Sequence, residues 1–356
     1  EEKYWPEFQG FDINIGGWSM GAPQKRNGGN GYFPPYLNPR LSDGPEGEYL
    51  TERLGDAALE FIEENKQGKA PFFMNFWFYN VHTPLQAKDD KIKKYEKQLK
   101  QGANHENPVY AAMVEHMDDA VGKVLNKLEE SGMLENTIII FTSDNGGLRG
   151  NYENNRKKVT SNLPLRSGKG DVYEGGVRVP FIVHWPNNIL EGQVANTPII
   201  SADIYPTILG LTGIKLEEQS TENIDGIDFT PLLTSGADIH RDAIYWHYPH
   251  YHLEGAKPYS AIRKGDWKLI EIFENKELEL YNLKEDIGEK NNLRLRYPEK
   301  VAELQNDLNT WRKEVNAQVP KTNPQFMEEY ESYSKAGQWR NRSDEEFLEH
   351  LRKANQ

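Results

Sequence analysis

Apolar and polar residues follow two distinct patterns up to about residue 235. Apolar residues recur every three or four positions over Thr51–Lys66 and from Pro108 to about Leu134, which predicts two amphipathic helices. Three shorter runs are largely apolar, and they cover Phe72–Tyr79, Ile138–Phe141 and Val179–Pro186. Such runs are typical of strands buried on both faces of a parallel sheet. This alternation predicts an α/β domain with a mostly parallel sheet flanked by helices.

The pattern changes after residue 235, where the strands become shorter and follow one another directly. The predicted strands are Ala243–Trp246, Ser260–Arg263, Trp267–Ile270 and Leu278–Leu283. A helix is predicted from Pro298 to Val315, because Pro suits the first helical position and apolar residues recur at helical spacing. These elements predict a smaller C-terminal α+β module with an antiparallel sheet.

Three segments are therefore expected along the chain. Residues 1–235 form the α/β domain, residues 236–317 form the α+β module, and residues 318–356 form a polar C-terminal extension. A helix is predicted over Asp344–Lys353 within that extension.

Composition excludes several classes of function. The 356-residue chain has a net charge of −13, which argues against a general nucleic-acid binder because such proteins need a basic face. No apolar run approaches the roughly 20 residues that cross a bilayer, so no membrane association is expected. The absence of cysteine excludes disulfides, zinc–thiolate sites and cysteine nucleophiles within these residues.

Asp144 and Asn145 directly follow the predicted Ile138 strand. Ligands of open α/β sheets bind beyond the carboxyl ends of strands, and these two side chains offer oxygen ligands for a hard divalent cation. Gly146 and Gly147 permit a tight turn beside a bound group. An ordinary Asp-Asn-Gly turn is the alternative interpretation.

Two further segments carry groups that could bind or protonate an anion. His82 follows the predicted Phe72 strand and could act as a proton donor or anion contact, although a structural role is the alternative. Arg166 and Lys169 lie in a glycine-rich basic segment, in which the Lys169 ammonium could bind a tetrahedral anion. A solvated loop with incidental cations explains the same segment, and the phosphate-loop spacing is missing.

The segment His247–His252 alternates imidazole and aromatic side chains. A transition-metal site is disfavoured because the proline-broken spacing gives poor ligand geometry. We predict that His247 and His250 belong to a substrate-binding edge for a polar ring such as a sugar, with a plain structural loop as the alternative.

Taken in order, several motifs resemble the type I sulfatase family of the alkaline-phosphatase-like superfamily. The resemblance extends from about Gly10 to Trp311 and rests mainly on these segments: Gly10–Gly17, Asn80–Pro84, Asn136–Gly146, Gly168–Pro180, Ala261–Ile270 and Leu280–Leu283. It implies an alkaline-phosphatase-like fold and hydrolysis of a sulfate monoester, with a sulfated sugar as the expected substrate. It also implies a periplasmic or secreted location.

The resemblance assigns roles to the candidate residues. Asp144 and Asn145 would be two ligands of Ca²⁺, Lys169 would contact the sulfate oxygens, and His82 would contact sulfate or protonate the departing alcohol. Family members use a formylglycine nucleophile made from the Cys or Ser of a C/S-x-P-S-R motif, which this sequence lacks. We therefore expect a partner in the missing N-terminal sulfatase segment, and no turnover by this chain alone.

Two alternatives stay open. A phosphatase or phosphomutase of the same superfamily would pair the strand-end aspartate with histidine around two transition metals, and Asn145 disfavours this. The second alternative is a non-catalytic homologue that binds sulfated glycans without cleaving them. It stays open because these residues do not include the nucleophile motif.

Overall fold

The computed structural model describes residues 2–100, 102–150, 158–215 and 224–321. The chain forms two compact units. Unit 1 comprises residues 1–140, 151–160 and 183–191, and unit 2 comprises residues 141–150, 161–182 and 192–356. The predicted boundaries at residues 235 and 317 stay a prediction, and the predicted Asp344–Lys353 helix lies outside the described residues.

Unit 1 is built on three helices: α1 (Leu50–Asn65), α2 (Asp89–Gln98) and α3 (Pro108–Glu130). Helix α3 begins after Asn107, whose side chain accepts hydrogen bonds from the backbone N–H groups of Val109 and Tyr110 at 3.1 and 3.2 Å. This is the capping that an asparagine provides at a helix start. The periodic spacing of apolar residues therefore predicted α1 and α3 correctly.

The core of unit 1 is rich in tyrosine. Tyr49 stacks on Tyr32 at 5.3 Å between ring centroids and on the buried His116 at 4.1 Å. The buried tyrosine hydroxyls are satisfied, since Tyr32 donates to the carbonyls of Tyr79 and His82. The other members of this cluster are Tyr36, Leu41, Leu50, Leu54, Ala87, Ala112 and Met113.

The prediction of a buried strand over Phe72–Tyr79 is wrong. This segment is extended but pairs with no strand in the described part of the chain. Its side chains alternate in exposure, and Phe73 and Trp77 remain 58% and 79% exposed. An apolar run becomes a strand only where a neighbour completes its hydrogen bonds, and no described neighbour does so here.

The other two predicted strands form. β1 (Ile139–Thr142) and β2 (Phe181–His184) make a two-stranded sheet. Their residues are half-buried or exposed rather than buried on both faces, so this part of the prediction is wrong.

Unit 2 contains an antiparallel sheet in the order β3-β4-β5-β6. Its strands are β3 (Ile244–Tyr248), β4 (Tyr259–Lys264), β5 (Trp267–Ile272) and β6 (Glu277–Asn282). Strands β4 and β5 pair from Lys264 opposite Trp267, so Gly265 lies in the connecting turn with a φ of 58°. This confirms the predicted hairpin.

Both faces of this sheet are covered, and alternate residues of the strands supply each face. On one face, Ile262, Leu269 and Leu280 pack with Leu304 and Leu308 of the next helix. That helix is α7 (Pro298–Glu314). On the other face, the buried residues are Ala261, Ile270, Tyr281, Leu283 and Val172.

Three short helices complete the description: α4 (Glu174–Val177), α5 (Ile204–Thr212) and α6 (Thr230–Thr234). The fully buried Asp203 precedes α5 and accepts backbone hydrogen bonds from Ile200 and Ile227, both at 2.8 Å. One guanidinium nitrogen of Arg241 lies 2.6 Å from each Asp203 carboxylate oxygen. A charged residue is thus buried with its charge paired. Among the described residues, no helix is long and apolar enough to cross a membrane.

Candidate active site

The loop after β1 carries the two predicted metal ligands. Asp144 is exposed and Asn145 is half-buried. The Ser143 hydroxyl donates to the Asn145 carbonyl at 3.0 Å, which shapes the turn. Within the described residues, neither the Asp144 carboxylate nor the Asn145 side-chain amide has a hydrogen-bond or ion-pair partner. Two adjacent oxygen donors are therefore available to a ligand.

Gly146 fixes this loop by close backbone contact. Its N–H donates to the Gly176 carbonyl at 3.0 Å. A Cβ atom at Gly146 would lie 1.7 Å from the Gly175 carbonyl oxygen. This is a steric clash with a backbone atom, which cannot move aside as a flexible side chain could. The Asp-Asn-Gly segment is therefore part of a packed loop pair, and glycine is required for that packing.

Asn162 joins the two loops, and its role was not predicted. Its side chain accepts from the Gly147 N–H at 3.0 Å and donates to the Gly147 carbonyl at 2.8 Å. The same amide nitrogen donates to the Ser167 carbonyl at 3.0 Å. One side chain thus makes three hydrogen bonds to backbone groups of two loops. A single Asn in a polar loop carries no sequence pattern that distinguishes this role.

Lys169 is held against the same loop. Its backbone N–H donates to the Gly147 carbonyl at 3.1 Å. The side chain is half-buried, and its ammonium has no hydrogen-bond or ion-pair partner in the ranges that the structure describes. The structure therefore brings Asp144, Asn145 and Lys169 to one pair of backbone-joined loops.

His82 belongs to unit 1 and lies on an exposed turn. Its N–H donates to the Tyr79 carbonyl at 2.8 Å. Its Nδ1 lies 2.8 Å from the Thr83 carbonyl, an acceptor, so Nδ1 carries the proton. Nε2 has no hydrogen-bond partner within the described residues. The exposed imidazole therefore leaves Nε2 without a described partner.

Arg166 is engaged inside unit 2. Its guanidinium donates to the Tyr281 hydroxyl at 2.8 Å and to the Glu289 carbonyl at 3.0 Å, and it lies 3.7 Å from the centroid of the Tyr173 ring. These contacts anchor the glycine-rich segment on the C-terminal sheet. The predicted substrate-binding role of Arg166 stays a prediction.

A buried charged cluster holds the end of the same segment. Lys268, 0% exposed, donates to the Val172 carbonyl at 2.7 Å and to Glu174 at 2.8 Å, and its ammonium lies 3.0 Å from Glu289. Glu289 in turn accepts from the Glu174 backbone N–H at 2.7 Å. We name Glu174, Lys268 and Glu289 the buried triad.

The two carboxyl groups of the buried triad have opposite pKa shifts. Burial is the largest single influence on the pKa of Glu174 and raises it, but the charges and hydrogen bonds of Lys268 and Arg178 together outweigh burial, so the pKa is lowered. Burial raises the pKa of Glu289, and Lys268 only partly opposes this. The positive charge of Lys268 therefore offsets part of the free-energy cost of burying the Glu174 and Glu289 carboxyl groups.

The two predicted sugar-contacting histidines have different surroundings. His247 uses both ring nitrogens, with Nδ1 at 2.6 Å from the Ser260 hydroxyl and Nε2 at 2.7 Å from the Gln318 carbonyl. His250 is exposed and packs edge-on against Tyr248 at 5.4 Å between ring centroids. Substrate binding by either residue stays a prediction.

His252 was not singled out from the sequence, yet it faces the Lys169 loop. It lines a cavity of about 190 Å³ together with Gly170, Asp171, Tyr248 and Tyr259. Spacing within a histidine-rich loop does not reveal which imidazole a neighbouring loop contacts.

The described residues contain no group of three or more His, Asp or Glu side chains arranged to hold a metal. Asp144 and Asn145 offer two oxygen donors of the type that calcium prefers, whereas calcium takes six to eight ligands. The two donors fit calcium in their chemistry and would account for part of its coordination shell.

A family model described as Sulfatase matches residues 3–214, more than half of the chain. The chain belongs to the sulfatase family. A second model, described as N-sulphoglucosamine sulphohydrolase, C-terminal, matches residues 168–318 of this sulfatase chain.

Individual sulfatases resemble the chain over much of its length. A sulfatase of Formosa agariphila is 35% identical over 301 residues, which cover 79% of this chain and 53% of that protein. Human steryl-sulfatase is 33% identical, over 62% of this chain and 35% of that protein. The chain thus spans about a third to a half of the length of these curated relatives.

The chain also resembles solved structures in its fold. The crystal structure of Ps i-CgsB in complex with k-i-k-neocarrahexaose matches with a TM-score of 0.66 and 30% identity, covering 82% of this chain and 60% of that chain. These similarities confirm the predicted alkaline-phosphatase-like fold class and the predicted family.

Proposed function

We propose that the protein is a sulfuric ester hydrolase that acts on a sulfated carbohydrate. The observation that carries this proposal is the hydrogen bond from Lys169 N–H to the Gly147 carbonyl at 3.1 Å. It joins Lys169, whose ammonium has no described partner, to the loop that carries Asp144 and Asn145. A sulfate ester requires neutralisation of the negative charge on its oxygens. The Lys169 ammonium would supply one positive charge, and a cation held by Asp144 and Asn145 would supply more.

Ca²⁺ is the proposed cofactor, and Asp144 and Asn145 are two of its proposed ligands. When bound, the ion would neutralise negative charge on the sulfate oxygens. Asp144 contributes a charged oxygen and Asn145 a neutral one, and Gly146 keeps both at the loop pair. Asp144→Asn should weaken calcium affinity at least tenfold in isothermal titration calorimetry of the chain complemented with the N-terminal sulfatase segment. Unchanged affinity would remove this ligand assignment.

Lys169 and His82 are the proposed catalytic residues. The Lys169 ammonium would bind sulfate oxygens as a point charge. A protonated His82 could donate from Nε2 to the oxygen of the departing alcohol, because Nδ1 is held by the Thr83 carbonyl at 2.8 Å.

The nucleophile is proposed to come from an N-terminal sulfatase segment that carries the formylglycine motif. No C/S-x-P-S-R motif occurs in these 356 residues. The exposed apolar side chains of Phe73 and Trp77, on an extended segment without a described strand partner, support a missing neighbour.

Complementation tests the proposed function. The chain would be co-expressed with an N-terminal sulfatase segment containing the motif, and sulfate release from a sulfated oligosaccharide would be measured by ion chromatography. Release should occur with the pair, fall at least 100-fold with Lys169→Ala, and be undetectable with either part alone. Hydrolysis of an aryl sulfate by the 356-residue chain alone would contradict the proposed division of the site.

Measured calcium binding and sulfate release should also separate the proposal from its alternatives. Two transition metals bound per complemented protein would favour a phosphatase or phosphomutase instead. Binding of sulfated glycan without release in the complemented protein would favour the non-catalytic homologue.

A further inference from the structure

A small cavity lies beside the residue that follows Lys169. It has a volume of about 190 Å³ and is lined by Gly170, Asp171, Tyr248, His252 and Tyr259. Drug-sized ligands occupy pockets of roughly 300 Å³ or more, so this cavity is suited to a single ring.

The aromatic walls are held in place by the antiparallel sheet. Tyr248 on β3 is paired directly with Tyr259 on β4, and their ring centroids are 6.0 Å apart. The His252 ring packs against Tyr248 at 5.8 Å. The His252 turn is closed by two backbone hydrogen bonds of 2.9 Å, from His252 N–H to the Ala256 carbonyl and from Gly255 N–H to the His252 carbonyl. The cavity is therefore largely pre-formed.

Gly170 allows the backbone of the Lys169 loop, which forms the opposite wall of the cavity, to approach His252. Its φ is +84°, and an added Cβ would lie 2.3 Å from His252 Nδ1. The backbone of the Lys169 loop and the imidazole therefore meet without an intervening side chain. A ring bound in the cavity would contact the residue next to Lys169.

The polar groups of the cavity suit hydroxyl groups. The hydroxyls of Tyr248 and Tyr259 form no hydrogen bond with another described residue. Burial, and then the negative charge of Asp171, raise the pKa of Tyr259, so its hydroxyl stays protonated at neutral pH. Both phenols can donate to and accept from a sugar hydroxyl while their rings contact its apolar face.

The charge at the cavity disfavours an anionic occupant. The Asp171 carboxylate is fixed by the Ser167 hydroxyl at 2.6 Å and the Val172 N–H at 2.9 Å. The carboxylate also forms an ion pair with Arg149 at 3.9 Å, but the Arg149 side chain is 57% exposed, so solvent screens this pair. A sulfate inside the cavity would lie against this carboxylate, whereas a neutral ring would not.

We propose that this cavity binds one uncharged sugar ring of the sulfated glycan, with the ester sulfate outside it towards Lys169. The inference rests on the proposed function and names the part of the substrate that the C-terminal module recognises. Tyr248, Tyr259 and His252 select the ring, and Asp171 selects against a charged one.

Saturation-transfer difference NMR on the 356-residue chain tests the assignment, with chemically desulfated k-i-k-neocarrahexaose as the neutral probe. The neutral oligosaccharide should bind, with saturation concentrated on one ring. Tyr248→Ala should raise the dissociation constant at least fivefold. The matched control is Tyr251→Ala, since Tyr251 is an exposed tyrosine of the same loop whose hydroxyl donates to Glu274 at 3.2 Å. The control should bind as the parent does.

Tyr248→Phe covers the case in which the alanine variant fails to fold. The Tyr248 hydroxyl has no hydrogen bond to a described residue, so its removal should leave the fold intact and weaken binding about threefold or more. Equal effects of Tyr248→Ala and Tyr251→Ala, full binding by Tyr248→Phe, or no binding of the neutral probe would each overturn the assignment.

The outcome is separable from that of the proposed function. Tyr248-dependent binding of the neutral probe, with no sulfate release on complementation, supports the cavity assignment and contradicts the hydrolase. Sulfate release from the glycan that Tyr248→Ala leaves unchanged supports the hydrolase and overturns the cavity assignment.

Discussion

Replacing Lys268 by Met should destabilise the C-terminal sheet strongly. The substitution keeps the volume of the aliphatic stem but removes the ammonium that lies 2.8 Å from Glu174 and 3.0 Å from Glu289. All three side chains are no more than 2% exposed, so solvent does not replace the lost partner. Removing one member of a buried ion pair costs about 3–5 kcal/mol. In this variant Glu174 still accepts a hydrogen bond from Arg178 at 2.7 Å. The loss of stability should therefore come mainly from Glu289, which is left without a cationic partner.

Hydrogen exchange with mass spectrometry measures this loss locally, which avoids assuming two-state unfolding of a chain with two compact units. The peptide to follow contains β4 and β5, Tyr259–Ile272. Since about 1.4 kcal/mol corresponds to a tenfold change, the slowest amides should exchange roughly 100-fold to 4,000-fold faster at neutral pH.

The loss should depend on pH with a definite sign. Without the ammonium, buried carboxyl groups have pKa values raised above those of the unfolded chain. The folded state then holds protons that the unfolded state releases, and stability falls as pH rises from about 4.5 through the folded-state pKa. The difference in protection between Lys268→Met and the parent should therefore be smaller at pH 5 than at pH 8.

Lys264→Met is the matched control, because Lys264 lies on β4 but pairs with Asp307 at the surface. An exposed ion pair contributes at most about 1 kcal/mol, so protection should fall less than tenfold. The reasoning about the buried triad is refuted if Lys268→Met behaves like this control, or if its effect is the same at pH 5 and pH 8.

Three further predictions concern other parts of the chain. Asn162→Ala should speed amide exchange at Gly147 at least tenfold, because the loop loses hydrogen bonds of 2.8 and 3.0 Å. It should also weaken calcium binding by the complemented protein, measured by calorimetry; unchanged protection at Gly147 would contradict the bridging role. The His116 side chain, whose Nδ1 lies 3.3 Å from the Glu52 carboxylate, is the main reason that the pKa of Glu52 is lowered to about 2, and Lys88 adds to the lowering. Glu52 therefore stabilises unit 1 above about pH 4.5 and loses this effect as pH falls towards 2. Glu52→Gln should lower the thermal midpoint at pH 6 and have a shrinking effect below pH 4.5, whereas an effect that grows with acidity would exclude this account. Leu304→Ala should cost about 2–5 kcal/mol in the local stability of the sheet, seen by hydrogen exchange, since Leu304 is fully buried against it; a loss below about 1 kcal/mol would mean that the site collapses around the smaller side chain.

Helices and hairpins were predictable from the sequence because their signals are local. The spacing of apolar residues located α1, α3 and α7, and the turn at Gly265 located the β4–β5 hairpin. Helix α2 was missed because its ten residues include only two apolar ones, Ile92 and Tyr95, so the segment as a whole has the composition of a polar loop. Its contacts with the core of unit 1 hold it in place.

Features that depend on distant partners were not predictable in the same way. The Phe72–Tyr79 run has the composition of a strand, but strand formation needs a second chain segment at hydrogen-bonding distance. Asn162 and His252 are single polar residues in loops, and their contacts with Gly147 and Gly170 arise only when the loops come together. The neighbourhood of Asp144, Asn145 and Lys169 could be anticipated only because the family resemblance named all three.

The single carbonyl oxygen of Gly147 accepts from both Asn162 and Lys169. The separation between the oxygen-donor loop and the cationic loop is therefore determined by main-chain atoms and one amide, and not by the side chains that would meet the substrate. Neither hydrogen bond uses the side chain of Asp144, Asn145 or Lys169. Substitutions at Asp144 and Asn145 are therefore expected to change the preference for a cation, and substitutions at Lys169 the preference for an anion, while the spacing of the two loops stays constant.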